Sequence, residues 1–244
     1  MARNARAAWK GHVHLGDVWA AYSGPSDQNS PHAHVAVQLT VAAKGRVVVR
    51  LGQREIAGPG VLVRPLVTHQ VAPDLETATF FYIEPQAPLG RAMLTLFGNA
   101  AAIPAPPSVL RAFALGTDPA TRIEALGRAL RVPERPALDR RLAVALALLE
   151  ASAGEARPVA KAAEEAGLST SRLRALARAE LGTPLARWLV WRKLARAARA
   201  LSEGESLAEA ALSGGFADQA HLSRVMRRTF GVTPRTAEGT LRRK

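Results

Sequence analysis

A pattern that occurs twice near the end of the chain constrains the fold more than any other feature of the sequence. The first copy reads VAKAAEEAGLSTSRLRALARAELGTP from residue 159, and the second reads LAEAALSGGFADQAHLSRVMRRTFGVTP from residue 207. In each copy a glycine separates a short alanine-rich run from a longer run with apolar residues three or four positions apart, and Gly, Thr and Pro follow. Residues 158–238 are therefore predicted to contain two helix-turn-helix motifs.

The second helix of each motif has a clear start and a clear outward face. Ser169 follows Gly167 and Asp218 follows Gly215, and both residue types cap helix N-termini well. Helical spacing turns inward Leu173, Leu176, Ala177 and Leu181 in the first motif and Leu222, Val225, Met226 and Phe230 in the second. It leaves outward, as DNA-contact residues, Thr170, Ser171, Arg174, Ala175 and Arg178 in the first motif and Gln219, Ala220, His221, Arg224, Arg227 and Arg228 in the second.

The charge distribution indicates what these faces contact. The chain has a formal net charge of +13, and residues 153–244 hold 17 basic and 9 acidic side chains. A compact module of this sign attracts polyanions, because neutralising phosphates releases condensed counterions. Arginine pairs with phosphate or guanine, and glutamine pairs with adenine. A solvated, arginine-coated helix is the alternative for either helix alone, but two such helices in one basic module favour double-stranded DNA as the partner.

One continuous helix is predicted to join the two motifs. It runs over residues 184–201, with Pro184 in its first turn and Gly204 after its end. Its length is about 27 Å, which approaches the roughly 34 Å of one turn of duplex DNA. The two outward-facing helices are therefore expected to enter successive major-groove segments without a dimer.

Residues 155–236 resemble the DNA-binding domain of the AraC family of bacterial transcription regulators. The resemblance is carried by AGLS at 166–169, LGTP at 181–184, RWLVWRKL at 187–194 and GFADQAHLSRVMRRTFGVTP at 215–234. It implies base contacts from Ser171, Arg174 and Ala175 in the first motif and from Gln219, Ala220 and Arg224 in the second. The family usually has Arg at the position of Ala175 and Phe at those of Ala177 and Met226. Because Arg224 is kept, we expect the second motif to matter at least as much for specificity.

The first half of the chain has the pattern of strands. Short alternating or β-branched runs occur at 35–41, 47–51, 61–63 and 77–83, with Gly and Pro between them. This spacing favours a small antiparallel barrel or sandwich. Helical spacing resumes over 119–131 and 137–152. We therefore predict a multidomain α+β protein with a sensor domain over 1–107, a helical linker or dimerisation region over 108–153 and an all-α DNA-binding domain over 154–244.

The histidines concentrate in the strand-rich half. His32 and His34 are expected on one strand face together with Gln38, and His69 follows a Pro-Gly turn. The segments HAHVAVQLTVAAKG and GPGVLVRPLVTH resemble the two motifs of the cupin barrel, and this resemblance implies that His32, His34, Gln38 and His69 ligate a divalent metal. Gln38 replaces the usual Glu, and the usual acidic residue after Gly60 is missing. Three alternatives stay open: a metal site, a pocket for an organic effector, and a barrel used only for contact.

These features predict a bacterial DNA-binding transcription regulator whose cupin-like domain senses a small molecule or metal. The alternatives are a cupin metalloenzyme, such as a dioxygenase or isomerase, with an appended DNA-binding domain, and a regulator without ligand. We expect no enzyme, because the spacing supplies no acid–base pair and the chain has no cysteine. Promoter DNA, RNA polymerase and an effector are the expected partners, and DNA binding is expected to need no cofactor. Pairing of two chains through 119–152 stays open. No secretory or membrane segment is expected, which predicts a cytoplasmic location.

Overall fold

The computed structural model describes residues 9, 11–73, 75–131, 138–152 and 158–234. Its internal contacts divide the chain into two compact units. The β unit comprises Met1–Pro133 together with Ser223–Lys244, and the helical unit comprises Glu134–Leu222. The predicted domain boundaries after residues 107 and 153 stay predictions, and each unit is described separately below.

The strands of the β unit form two antiparallel sheets. Their bounds are β1 His12–Leu15, β2 Trp19–Gly24, β3 Val37–Ala42, β4 Val47–Leu51, β5 Arg54–Gly58, β6 Gly60–Val63, β7 Gln70–Val71, β8 Ala78–Ile83 and β9 Ala102–Pro104. The larger sheet has the order β1-β2-β8-β3-β6-β9, and the smaller has the order β5-β4-β7. The predicted antiparallel barrel is therefore not closed among the described residues. Pro59 stands between β5 and β6, where the chain passes from one sheet to the other, and its missing N–H cannot extend a ladder.

The side chains of β3 point alternately into two apolar clusters, and its polar side chains share one of the two faces. Val37, Leu39 and Val41 pack into one apolar cluster with residues of the helices that follow the strands. Gln38 and Thr40 point to the opposite face, where they pair in register with Tyr82 and Phe80 of β8. That face belongs to a second cluster, which includes Val47 and Val49 of the smaller sheet. Two fully buried polar side chains, Gln38 and Thr40, thus lie in the interior of the β unit.

Three helices come after β8 within the β unit, and β9 lies between the first and the second of them. They are α1 Pro88–Thr95, α2 Pro107–Leu115 and α3 Pro119–Ala129. The prediction of a helix over 119–131 is confirmed, and the Asp118 carboxylate caps it by accepting from the amides of Ala120 and Thr121. The structure adds helix α1 and strands β1, β2, β5, β7 and β9 to the elements that were named from the sequence.

The helical unit is built from α4 Arg140–Ala151, α5 Pro158–Glu165, α6 Thr170–Leu181, α7 Leu185–Ser202 and α8 Leu207–Ser213. Helix α9, Gln219–Phe230, begins in this unit. Leu142, Leu146 and Leu149 of α4 lie in one buried cluster with residues of α5, α6 and α7. The leucine stripe of α4 therefore packs within the chain, against helices of the predicted DNA-binding region rather than against the strands. No helix among the described residues combines the length and apolar character needed to cross a membrane.

Candidate functional site

The first helix-turn-helix motif consists of α5, a turn at Gly167 and α6. Gly167 has a φ of +65°, a conformation that glycine adopts without strain. The Ser169 hydroxyl accepts a hydrogen bond from the Arg172 amide at 3.2 Å, which confirms the predicted cap. Ser171, Arg174, Ala175 and Arg178 are exposed and Thr170 is half-buried, whereas Leu173, Ala177 and Leu181 are buried. The sorting of the two faces is therefore confirmed for α6.

The second motif repeats this arrangement with α8, a turn at Gly215 and α9. Ser206 and Glu209 form a capping box at the start of α8, and the Asp218 carboxylate accepts from the His221 amide at 2.6 Å at the start of α9. Gln219, Ala220, Arg224, Arg227 and Arg228 are exposed, and His221 is half-buried. The His221 ring lies edge-on against Phe216, with ring centroids 5.3 Å apart. Asp218 is confirmed as the cap, and the His221 side chain packs against Phe216 of its own motif.

The turn of the second motif is anchored by residues outside the predicted set. The Lys193 ammonium donates to the Gly215 carbonyl at 2.7 Å, and the Arg196 guanidinium reaches the Gly214 carbonyl at 3.4 Å. Burial and the charge of Arg196 lower the pKa of Lys193. Two α7 cations thus orient the turn that leads into α9, a role that the RWLVWRKL segment alone did not reveal.

Both exposed faces are electrically suited to a polyanion. Each helix begins with a capped N-terminus, whose backbone dipoles are positive, and each exposes arginine within the following turns. The first turns of α6 and α9 hold no acidic side chain, and the Asp218 carboxylate stands just before α9 as its cap. The arrangement can bind phosphate and read base edges, and the individual base and phosphate contacts stay predictions.

A second site lies in the β unit, where His32, His34 and His69 come together. All three side chains are buried, and one ring nitrogen from each lies within 4.8 Å of the others. The strand expected over 35–41 begins only at Val37, and His32 forms an isolated antiparallel bridge with His69. The expectation that His32 and His34 share a strand face is therefore wrong. The backbone at these residues instead bonds to distant segments, as when the Leu66 amide donates to the His34 carbonyl at 2.7 Å.

Backbone carbonyls fix the tautomer of each imidazole in the cluster. The Nδ1 atoms of His32, His34 and His69 lie 2.9, 3.1 and 2.9 Å from the carbonyl oxygens of Ser30, Ala36 and Val67. A carbonyl oxygen only accepts, so each Nδ1 carries the proton and each Nε2 carries a lone pair. Burial lowers the pKa of all three histidines, that of His32 to about 3, which favours the neutral form of each ring.

Gln38 completes the cluster. Its Oε1 lies 2.9 Å from His34 Nε2 and 3.0 Å from His69 Nε2, while its Nε2 donates to the Thr40 hydroxyl at 2.9 Å. Lone pairs therefore face one another at the centre of the site. Either a positive charge among them, or a half-turn of the Gln38 amide that lets its N–H groups donate to both imidazoles, makes these contacts favourable. The predicted quartet is brought together, and Thr40, two positions along the same strand face, is the supporting residue that was missed.

Known proteins resemble this chain in its helix-turn-helix region and in its fold. A family profile described as "Helix-turn-helix domain" matches residues 162–238. No curated protein matches the chain. An apo point variant of ToxT from Vibrio cholerae strain SCE256 is similar over 91% of this chain and 97% of its own, with a TM-score of 0.58 and 10% identity. Wild-type ToxT from the same strain, solved with an unsaturated fatty acid bound, is similar over 91% and 95%, with a TM-score of 0.56 and 12% identity.

A transcriptional regulator of Chromobacterium violaceum, described as containing an AraC-type DNA-binding domain, is 29% identical over 40% of this chain and 89% of its own, with a TM-score of 0.37. The profile match covers α6 and α9 with their caps. Residues 162–238 therefore form a helix-turn-helix domain by their family match, and the likeness to ToxT shows the fold over 91% of the chain.

Proposed function

We propose that this protein is an AraC-type transcription regulator whose binding to promoter DNA responds to a divalent metal ion held by His32, His34, Gln38 and His69. The observation that carries the DNA-binding part is the helix-turn-helix match over residues 162–238, which includes two capped helices with exposed arginines. The convergence of four buried donor atoms in the β unit carries the effector part.

The roles on DNA follow from position along each helix. In helix-turn-helix proteins, the N-terminal residues of the recognition helix approach base edges. Gln219, Ala220 and Arg224 stand in the first half of α9, and Ser171, Arg174 and Ala175 stand in the first half of α6. Arg178, Arg227 and Arg228 stand nearer the C-terminal ends and suit phosphate contact. Thr170 and His221 are both half-buried and stand at the starts of α6 and α9. These positions suit contacts with the DNA backbone that orient the two helices.

The donor set suits a transition metal rather than magnesium or calcium. Three neutral imidazole nitrogens and one amide oxygen match the preferences of Zn²⁺, Ni²⁺ and Fe²⁺. Each His Nδ1 already donates to a carbonyl, the support that metal-binding histidines commonly have. The ion would supply the positive charge that the facing lone pairs need. These residues come from both cupin-like segments, which supports a cupin-like origin of the β unit although its barrel is open.

Selection of DNA by the full chain tests the regulator. Duplexes enriched from a random pool are expected to share a motif with two half-sites about one helical turn apart. Footprints on these duplexes are expected to protect two groove segments per chain. Enrichment without any shared motif would remove sequence-specific DNA binding from the proposal.

Metal analysis tests the effector. Titration of EDTA-treated protein with Zn²⁺ or Ni²⁺ is expected to give one site per chain, which His34→Ala loses and His12→Ala, at an exposed histidine, retains. Circular dichroism of both variants checks folding. Stoichiometric binding to the His34→Ala protein would show that the metal sits elsewhere.

An organic effector is the second candidate, because the fold is that of ToxT and ToxT has been solved with a fatty acid. Thermal stabilisation by oleate, together with no metal binding, would favour it.

Oxygen uptake by the metal-loaded protein would favour the metalloenzyme alternative. We also propose that the protein contacts RNA polymerase and that two chains can pair. A cytoplasmic location is part of the same proposal, because a promoter regulator works where the chromosome and the polymerase are.

A further inference from the structure

The C-terminal end of α9 is held by the loop that carries His32. The Ser30 amide and hydroxyl both donate to the Gly231 carbonyl, at 2.9 and 3.2 Å, and the Ala33 amide donates to the Arg228 carbonyl at 3.4 Å. All of these residues belong to the β unit. We call the segments Asn29–Ala33 and Arg228–Val232 together the clasp.

Packing in the clasp is too close for any residue but glycine at its centre. Gly231 has a φ of +73°, and a Cβ at this position would lie 2.7 Å from His32 Nδ1 and deep inside the van der Waals radius of the Ser30 carbonyl oxygen. On either side of Gly231, the Phe230 ring lies 5.4 Å from that of Tyr82, and Val232 packs into the cluster between the two sheets. The end of α9 is therefore part of the β-unit interior.

The clasp is continuous with the histidine cluster. His32 Nδ1 donates to the carbonyl of Ser30, the residue whose amide and hydroxyl hold Gly231. The Tyr82 ring, which contacts Phe230, also lies edge-on to His34 with centroids 5.1 Å apart. Asn29 is fixed in turn by bonds with Val71, two residues after His69. Two routes thus connect the imidazoles with α9, one through the backbone and one through aromatic rings.

We propose that filling the histidine site tightens the clasp, so that the effector acts on the second DNA-binding helix through a direct contact. A cation on the Nε2 atoms makes each Nδ1–H a stronger donor and fixes the ring. For His32, this strengthens the bond to the Ser30 carbonyl and orders the residue that holds Gly231. Because linkage is reciprocal, a weakened clasp must weaken metal binding. This inference rests on the metal site of the proposed function.

Gly231→Ala tests the coupling, with Gly182→Ala as the matched control. Both glycines follow a helix end with positive φ, but a Cβ at Gly182 has nothing within 4 Å whereas one at Gly231 meets the clasp. Zn²⁺ affinity is expected to fall about fivefold or more in Gly231→Ala and to change by less than about twofold in Gly182→Ala. Ser30→Ala, which removes one clasp bond without backbone strain, is expected to give a smaller fall in the same direction.

Two further measurements separate this inference from the proposed function. In the wild-type protein, Zn²⁺ is expected to slow hydrogen exchange at the Ser30 and Ala33 amides and to change affinity for the selected duplex, and Gly231→Ala is expected to lose both responses while still folding by circular dichroism. If the wild type binds Zn²⁺ and all variants bind it equally, with unchanged effects on DNA, the clasp inference is overturned and the metal effector stands. Absence of any Zn²⁺ binding by the wild type overturns both.

Discussion

Replacing Arg224 and Arg228 separately by alanine distinguishes a base contact from a phosphate contact on one helix. The two side chains stand four residues apart in α9, so they share a face and are separated by about 6 Å along the axis. Both are exposed, and each substitution removes one positive charge. The variants should therefore differ only in what their guanidinium groups contact on DNA.

The two substitutions are expected to change different properties of DNA binding. A bidentate arginine–guanine pair contributes about 1–3 kcal/mol of discrimination, so Arg224→Ala should weaken the selected duplex by roughly 5- to 150-fold and a random duplex far less. Arg228→Ala should weaken both duplexes alike. It should also lower the slope of log affinity against log salt by about 0.9, which between 50 and 200 mM salt amounts to about a 3.5-fold smaller loss.

Fluorescence anisotropy at four salt concentrations, on the selected and a random duplex, measures both quantities. Arg128→Ala provides the control, because Arg128 is an exposed helical arginine of α3, with 73% of its side chain accessible, and lies outside both motifs. Equal losses on both duplexes for Arg224→Ala would refute the assignment of Arg224 to a base. A salt slope unchanged by Arg228→Ala would remove that residue from the phosphate contacts.

Two further predictions concern stability. Ala177→Phe introduces the residue that the AraC resemblance expects. It should lower the free energy of unfolding of the helical unit by about 1–3 kcal/mol in urea, because Ala177 is fully buried and its cluster is packed around a methyl group. Unchanged stability would mean that the cluster holds a void there. Metal-free protein should lose stability as pH falls below 6.5, since burial lowers the folded-state pKa of His32, His34 and His69 and the unfolded chain takes up these protons first. Each histidine contributes a slope of up to about 1.4 kcal/mol per pH unit in this window. A flat profile in EDTA would contradict neutral buried rings.

Local features of the DNA-binding region could be predicted because their signals lie within a few residues. Ser169 and Asp218 each cap a helix through the amide three positions ahead, and the buried stripe of α6 follows from a spacing of three or four residues. Strand β4 was likewise located at residues 47–51, as the structure has it. Such features need no knowledge of the rest of the fold.

The arrangement of the β unit depended on contacts that the sequence does not encode locally. His32 and His34 meet His69 through backbone bonds to distant segments rather than through a shared strand face, so the grouping was right and its stated cause was wrong. Closure of a barrel depends on which strand edges pair, and periodicity does not specify pairing. The bond from Ser30 to Gly231 joins residues 201 positions apart, and neither residue carries a signal for the other.

The first motif offers a gain-of-function test of the whole DNA geometry. Ala175 is exposed on α6 at a position where the AraC resemblance expects arginine, and the preceding residue of the same face, Ser171, lies one turn earlier. If α6 enters the major groove, Ala175→Arg supplies a guanidinium within reach of a base pair or a phosphate and should raise affinity for one base substitution in the first half-site by about 1–3 kcal/mol. Ala120→Arg adds the same charge at an exposed site on α3, outside both motifs, and should raise affinity only through net charge. Repeating the duplex selection with both variants gives the comparison. A new base preference confined to the half-site opposite α6 is expected for Ala175→Arg, whereas identical motifs for wild type and both variants would mean that this face of α6 does not read DNA.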